Sequence, residues 1–252
     1  MTLRQKEPMM ANCIIHPIPT FESALDKSLM TYRMNFGQTV RSIGYVWYIE
    51  GLKERILVDA GANTHYLSTV RGMPAREIQP LDTGLRKLGL SFDDIDLVIL
   101  THLHTDHVAE ARRFPRARFL VQKSELEFAR RPHPSVAPSY HEEFFDGIDF
   151  EAVNGDTKIC EEISVLFTPG HTPGGQSVSI KTALGTAIIS GLCTIRENFE
   201  PPPPIASSTP VIVPGMHTNV FDAYDSVLRI KETADIIIPN HDPEYQQKSH
   251  VP

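Results

Sequence analysis

Six residues, Asp96-Leu97-Val98-Ile99-Leu100-Thr101, form a short apolar run that ends on His102-Leu103-His104-Thr105-Asp106-His107. A continuous run of this length suits a strand buried on both faces, as in the middle of a parallel sheet. With strand and helix patterns alternating along the rest of the chain, such a strand fits an α/β domain whose helices cover the sheets. It also places the polar cluster at the mouth of that strand. Alternate residues at a strand end point the same way, so His102 and His104 can face one centre. Asp106 and His107, in the turn beyond, can serve a second centre close by. Imidazole and carboxylate are the groups a borderline ion such as Zn²⁺ accepts, at ~2.0–2.2 Å. The bland alternative is a histidine-rich solvated loop. Four ligand-type residues within six positions, at the end of a buried strand, argue against it.

The rest of the chain alternates between strand and helix patterns. Residues 42–49 and 54–59 are predicted strands joined by a turn containing Gly51, and 117–122, 163–167, 176–181, 186–190 and 234–239 are further strands. Helical spacing covers 80–90, with Leu81, Leu85 and Leu88 on one side, and 219–233. Ser124 with Glu127 reads as a capping box opening a short helix, and 201–204 as a stiff extended segment. Residues 132–150 hold three prolines and the rings of His133, Tyr140, His141, Phe144 and Phe145, a composition that suits an ordered excursion or lid. No repeat or linker divides the chain. Residues 1–252 are therefore read as a single domain, with 1–40 as an N-terminal extension.

Composition narrows the function classes. With 24 basic and 31 acidic residues the formal charge is −7, which argues against a general affinity for nucleic acid or anionic membranes. No stretch reaches the ~20 apolar residues of a membrane span, and no secretory signal is visible. Cys13, Cys160 and Cys193 are widely spaced and odd in number, so neither a disulfide framework nor a CxxC knuckle is expected, and a reducing cytoplasm is the simplest location.

His102-x-His104-x-Asp106-His107 resembles the HxHxDH signature of the metallo-β-lactamase superfamily. Thr168-Pro169-Gly170-His171-Thr172-Pro173-Gly174 resembles the segment that supplies a third histidine, Ile236 to Asp242 the terminal strand with the last histidine, His241, and Leu57-Val58-Asp59-Ala60-Gly61 the early strand whose Asp lies beneath the metals. The motifs stand in the family's order and span about residues 40 to 245. The resemblance implies an αββα sandwich. It implies that His102, His104 and His171 hold one metal, and Asp106, His107 and His241 a second. The implied cofactor is one or two Zn²⁺ per chain, with Mn²⁺ or Fe²⁺ as alternatives. The implied chemistry is hydrolysis of a small carbonyl compound by a metal-bound hydroxide, with Asp106 as ligand and proton relay.

Within the superfamily the chain looks most like the N-acyl homoserine lactonase branch. Phe119-Leu120-Val121-Gln122 leading to Ser124-Glu125, and Arg196-Glu197-Asn198-Phe199, carry that likeness. Two departures stand against it. The branch's metal-bridging Asp falls on Gly191, and its substrate-contacting Tyr falls on Thr194. Cys193 and His217 are the candidates for an extra ligand or a substrate contact. A lactone is the first substrate expected. A thioesterase or glyoxalase II-like hydrolase, and a metal-binding protein without hydrolysis, are the alternatives. The expected partner is a small-molecule substrate, and the reading leaves room for a homodimer.

Overall fold

The computed structural model describes residues 13–252. Among these residues twelve strands form two sheets. The strands are β1 (Ile14–Asp26), β2 (Thr39–Glu50), β3 (Ile56–Val58), β4 (Ala75–Glu77), β5 (Leu97–Ile99), β6 (Arg118–Gln122), β7 (Phe150–Val153), β8 (Thr157–Lys158), β9 (Ile163–Phe167), β10 (Gln176–Thr182), β11 (Gly185–Ile189) and β12 (Ile236–Ile238). The first sheet runs β4-β1-β2-β3-β5-β6-β7 and the second β12-β11-β10-β9-β8. In the first, β3, β5, β6 and β7 are parallel. The apolar run before the histidines is thus β5, buried at every residue between two parallel neighbours.

Three apolar layers hold the sheets and helices together. Between the sheets lie Tyr45, Trp47 and Ile99 from one side and Val178, Ile180 and Ile189 from the other. Outside the first sheet, Leu57, Val98 and Val121 meet Leu81 and Leu85 of helix Leu81–Lys87 and Ala129 of helix Lys123–Arg130. Outside the second, Ile188 meets Ala223, Val227 and Ile230 of helix Val220–Thr233. Each large aliphatic side chain buried this way stabilises the fold by roughly 1.5–3 kcal/mol. The spacing of 223, 227 and 230 explains why this segment is a helix lying on a sheet. Asn219 caps its first turn by accepting from the backbone N–H groups of Phe221 and Asp222. The architecture is the αββα sandwich the motifs imply. Among the described residues no helix is long and apolar enough to cross a membrane.

Several local expectations are corrected. Residues 14–26, read as part of an extension, form the long strand β1, paired antiparallel with β2 from Ile14 opposite Glu50 to Asp26 opposite Thr39. Pro17 and Pro19 obscure it in the sequence. On its other side β1 meets β4 only at residues 21–23, so both prolines lie where β1 is an edge strand and no N–H is demanded. The capping box at Ser124 does not form. The helix begins at Lys123, with Gln122 at the cap and no side-chain cap bond. Residues 201–204 are not wholly extended, because Pro203–Ala206 closes one helical turn, with proline at the position where its missing N–H costs nothing.

Candidate metal centre

The second sheet brings its loops to the same end of the sandwich as the mouth of β5. Asp59, just after β3, is fully buried and takes a left-handed backbone conformation with φ 63°. Its Oδ1 accepts from the Thr101 backbone N–H at 2.8 Å and the Thr101 hydroxyl at 2.9 Å. Its Oδ2 lies 2.7 Å from Nδ1 of His107. The single hydroxyl proton of Thr101 goes to Asp59, so its oxygen accepts from Nδ1–H of His102 at 3.0 Å. Nδ1 of His171 donates to the carbonyl of Met216 at 2.7 Å, and Nδ1 of His241 to that of Ile43 at 3.1 Å. Four rings are therefore fixed through one nitrogen, leaving the other free to ligate, as metal-binding histidines require.

The donor atoms converge as two groups among the described residues. Those of His102, His104 and His171 lie within 4.8 Å of one another, and so do those of Asp106, His107 and His241. Nε2 of His102 and Nε2 of His107 are buried without a hydrogen-bond partner. A buried polar atom left unpaired costs about 1–3 kcal/mol. The orphaned nitrogens, sitting within sets of imidazole and carboxylate donors, fit divalent metal ions. Burial holds His102 and His104 well below the usual histidine range, and lowers His171 and His241 to about 4. These four are neutral and ready to ligate. His107 differs: burial alone would lower it, but the carboxylates of Asp106 and Asp59 raise it to about 10. Burial would raise Asp106, yet His107 and the Arg71 guanidinium hold it well below the carboxylate range.

A buried acid ties the first group together. Glu125 accepts from the backbone N–H of Leu103 at 3.0 Å, between His102 and His104, and from that of Gly174 at 3.1 Å, three residues beyond His171. The hydroxyl of Tyr140 reaches the same carboxylate at 3.2 Å. A Cβ on Gly174 would stand 2.1 Å from the Glu125 backbone nitrogen, so only glycine permits this approach. Burial raises the Glu125 carboxyl above its ordinary range. In the sequence Glu125 carried a family likeness but no assigned role.

The two departures from the lactonase pattern are structural as well. A Cβ at Gly191 would fall 1.8 Å from the carbonyl oxygen of Gln176, so no carboxylate fits there on this backbone. Thr194 is fully buried, its hydroxyl 3.0 Å from Ser190 Oγ, and it does not line the cavity. Cys193 and His217 both border the cavity, but neither joins a donor group. The Cys193 thiol lies 3.4 Å from the Met30 sulfur and burial pushes its pKa up, the behaviour of a small apolar residue. His217 is held by the Pro214 carbonyl at 2.7 Å and packs edge-on against Tyr32.

A cavity of about 360 Å³ opens over the two groups, with His104, Asp106, His171 and His241 on its floor. Segment 132–150 supplies Ser135, Val136, Pro138 and Ser139 to its wall. Phe145 instead belongs to the outer core of the first sheet, and Phe144 packs against that core. Arg71 also borders the cavity. No motif or periodicity singled it out.

A family model described as the metallo-β-lactamase superfamily matches residues 39–241. The chain belongs to the metallo-β-lactamase superfamily. Among relatives of this superfamily chain, an N-acyl homoserine lactonase of Bacillus thuringiensis is 25% identical over 251 residues, covering 93% of this chain and 95% of that one. The N-acyl homoserine lactonase AttM of Rhizobium radiobacter is 28% identical over 172 residues, covering 64% and 63%. A solved quorum-quenching N-acyl homoserine lactone lactonase superposes with a TM-score of 0.76 at 25% identity, covering 96% of each chain. An AiiA mutant of B. thuringiensis, solved with N-decanoyl-L-homoserine at its active site, gives 0.77 at 23% identity, covering 94% of this chain and 96% of that one. These solved relatives thus share the fold found here.

Proposed function

We infer that the protein is a metal-dependent hydrolase that opens a small cyclic ester. The observation that carries this reading is the pairing of a three-histidine group with an Asp106-His107-His241 group on one cavity floor. The lactonase relatives, aligned along nearly the whole chain, support a lactone as the first substrate class. Zinc suits the donors, and a bound pair would lower the pKa of water and polarise a carbonyl. His102, His104 and His171 would hold one ion, and Asp106, His107 and His241 the other. Asp106 borders the cavity, 3.4 Å from His107 Nε2, and its carboxylate would take the proton of an attacking water. It would deliver that proton to the departing alkoxide as the acyl C–O bond breaks and the new C–O bond forms, giving a hydroxy acid. The cavity would exclude bulk water around the ester, with Met30 and Met73 as apolar wall.

The test is metal content per chain together with hydrolysis of an N-acyl homoserine lactone, γ-butyrolactone and a glutathione thioester. Ring opening that vanishes on chelation and returns with zinc supports the reading. A thioester cleaved in preference to both lactones would move the protein to the glyoxalase II-like class. Stoichiometric metal with no hydrolysis would make it a binding protein.

A further inference from the structure

Arg71 follows the short helix Thr64–Thr69 and extends its side chain to the cavity. One terminal nitrogen donates to the Ser139 hydroxyl at 3.0 Å, and the other stands 3.7 Å from Asp106 Oδ1. Its side chain is only 17% exposed. Among the described residues, and apart from histidines, Arg71 and Asp106 are the two charged residues that border the cavity. The rest of the wall mixes apolar side chains, among them Met30, Met73 and Val136, with the hydroxyls of Ser42, Ser135 and Thr218. The Arg71–Asp106 distance is too long for a hydrogen bond. Asp106 also belongs to a donor group, so its charge is committed when a metal is held there. That leaves a mostly buried guanidinium, held by one hydrogen bond to Ser139, facing the cavity beside the reacting centre. Its planar fork matches a carboxylate by two parallel hydrogen bonds.

We propose that Arg71 is a specificity residue that binds a carboxylate on the substrate, so that the preferred substrate is a small lactone bearing a carboxylate next to its ring. The inference rests on the lactone-hydrolase reading and names its substrate class. Ser139 orients the fork, and the methionine-lined wall takes the ring carbons. The carboxylate would sit close to the ester it accompanies, because the guanidinium itself lies beside Asp106.

The test compares γ-butyrolactone with its γ-carboxylate on the zinc-loaded protein, in the wild type, Arg71→Gln and Arg71→Lys. Binding of the inert ether tetrahydrofuran-2-carboxylate is measured by calorimetry on the same samples, with metal content determined for each. The wild type should favour the carboxylate by at least tenfold in kcat/KM. Arg71→Gln should remove that preference and weaken binding of the ether by at least tenfold at unchanged metal content. Arg71→Lys should restore part of both. Equal loss for the two lactones, with metal released, would show that Arg71 merely steadies Asp106 and would overturn the proposal. Ether binding untouched in Arg71→Gln would place the carboxylate elsewhere and overturn it equally. If neither lactone is opened, the lactonase reading fails while the calorimetric arm still decides the role of Arg71.

Discussion

Asp59 Oδ2 lies 2.7 Å from Nδ1 of His107, and the other oxygen of Asp59 holds Thr101, which in turn orients His102. One carboxylate thus sets a ring in each donor group, directly for His107 and through a hydroxyl for His102. Asp59→Asn keeps a residue that tolerates φ 63° but presents an amide N–H₂ where acceptors are needed. Second-site metal affinity should fall roughly 10–100-fold, with a smaller loss at the first site. Metal titration of the variant checks this. Equal losses at both sites would remove Asp59 from its special relation with His107.

The proton inventory separates the two sites. His102 and His104 lie well below the usual histidine range and His171 near 4, so the first group is neutral at pH 7. In the second group His241 near 4 is neutral, whereas His107 near 10 holds a proton. Filling the first site should release almost no proton, and filling the second should release about one. Second-site affinity should therefore rise roughly tenfold per pH unit from pH 7 toward 10, while first-site affinity stays flat above about pH 5. Calorimetry in buffers of different ionisation enthalpy reads both numbers.

The metal-free protein should show opposing pH trends. The folded pKa of His107 is raised, so its contribution is complete below ~6.5 and is lost as pH rises through about 10. The folded pKa values of His171 and His241 are lowered, so stability is lost as pH falls from ~6.5 toward about 4, where the unfolded chain takes up protons first. Urea midpoints between pH 4 and 10, with chelator present, should peak near the middle. A monotonic profile would contradict this balance.

Gly191 stands where the lactonase branch places its bridging Asp, but Gly191→Asp does not restore a bridge on this backbone. With the Gln176 carbonyl 1.8 Å from the added Cβ, the backbone must move. The variant should lose about 1–3 kcal/mol of stability and gain no second-site affinity. A tighter second metal in a stable variant would show that the loop after β11 can relax.

Phe145→Ala should cost about 3–5 kcal/mol, since the ring lies in the core between the first sheet and its helices. KM should not move. The segment 132–150 does border the cavity, but through small polar residues or proline, with Val136 the one aliphatic side chain, and not through its rings.

The donors were legible because strand burial and ligand chemistry coincide at β5: an apolar run cannot end on His102, His104, Asp106 and His107 without presenting them at one sheet end. Their separation into two groups of three depends on His171 and His241, which sequence could place only through family likeness. What stayed hidden was of a different kind. Arg71 enters from a loop without periodicity, Glu125 acts through backbone N–H groups, and the obstruction at Gly191 comes from the carbonyl of a neighbouring strand. Each depends on contacts between distant segments. The long strand β1 was hidden locally, by prolines that only an edge position allows.

The donors come from both sheets: His102 to His107 follow β5 in the first, while His171 and His241 follow β9 and β12 in the second. Metal affinity is therefore a gauge of inter-sheet spacing. Trimming Ile180 or Ile49, deep in the shared layer, alters how closely the two walls approach and should register as weaker metal retention. A chelator challenge on such variants would turn the centre into a ruler for the core between the sheets.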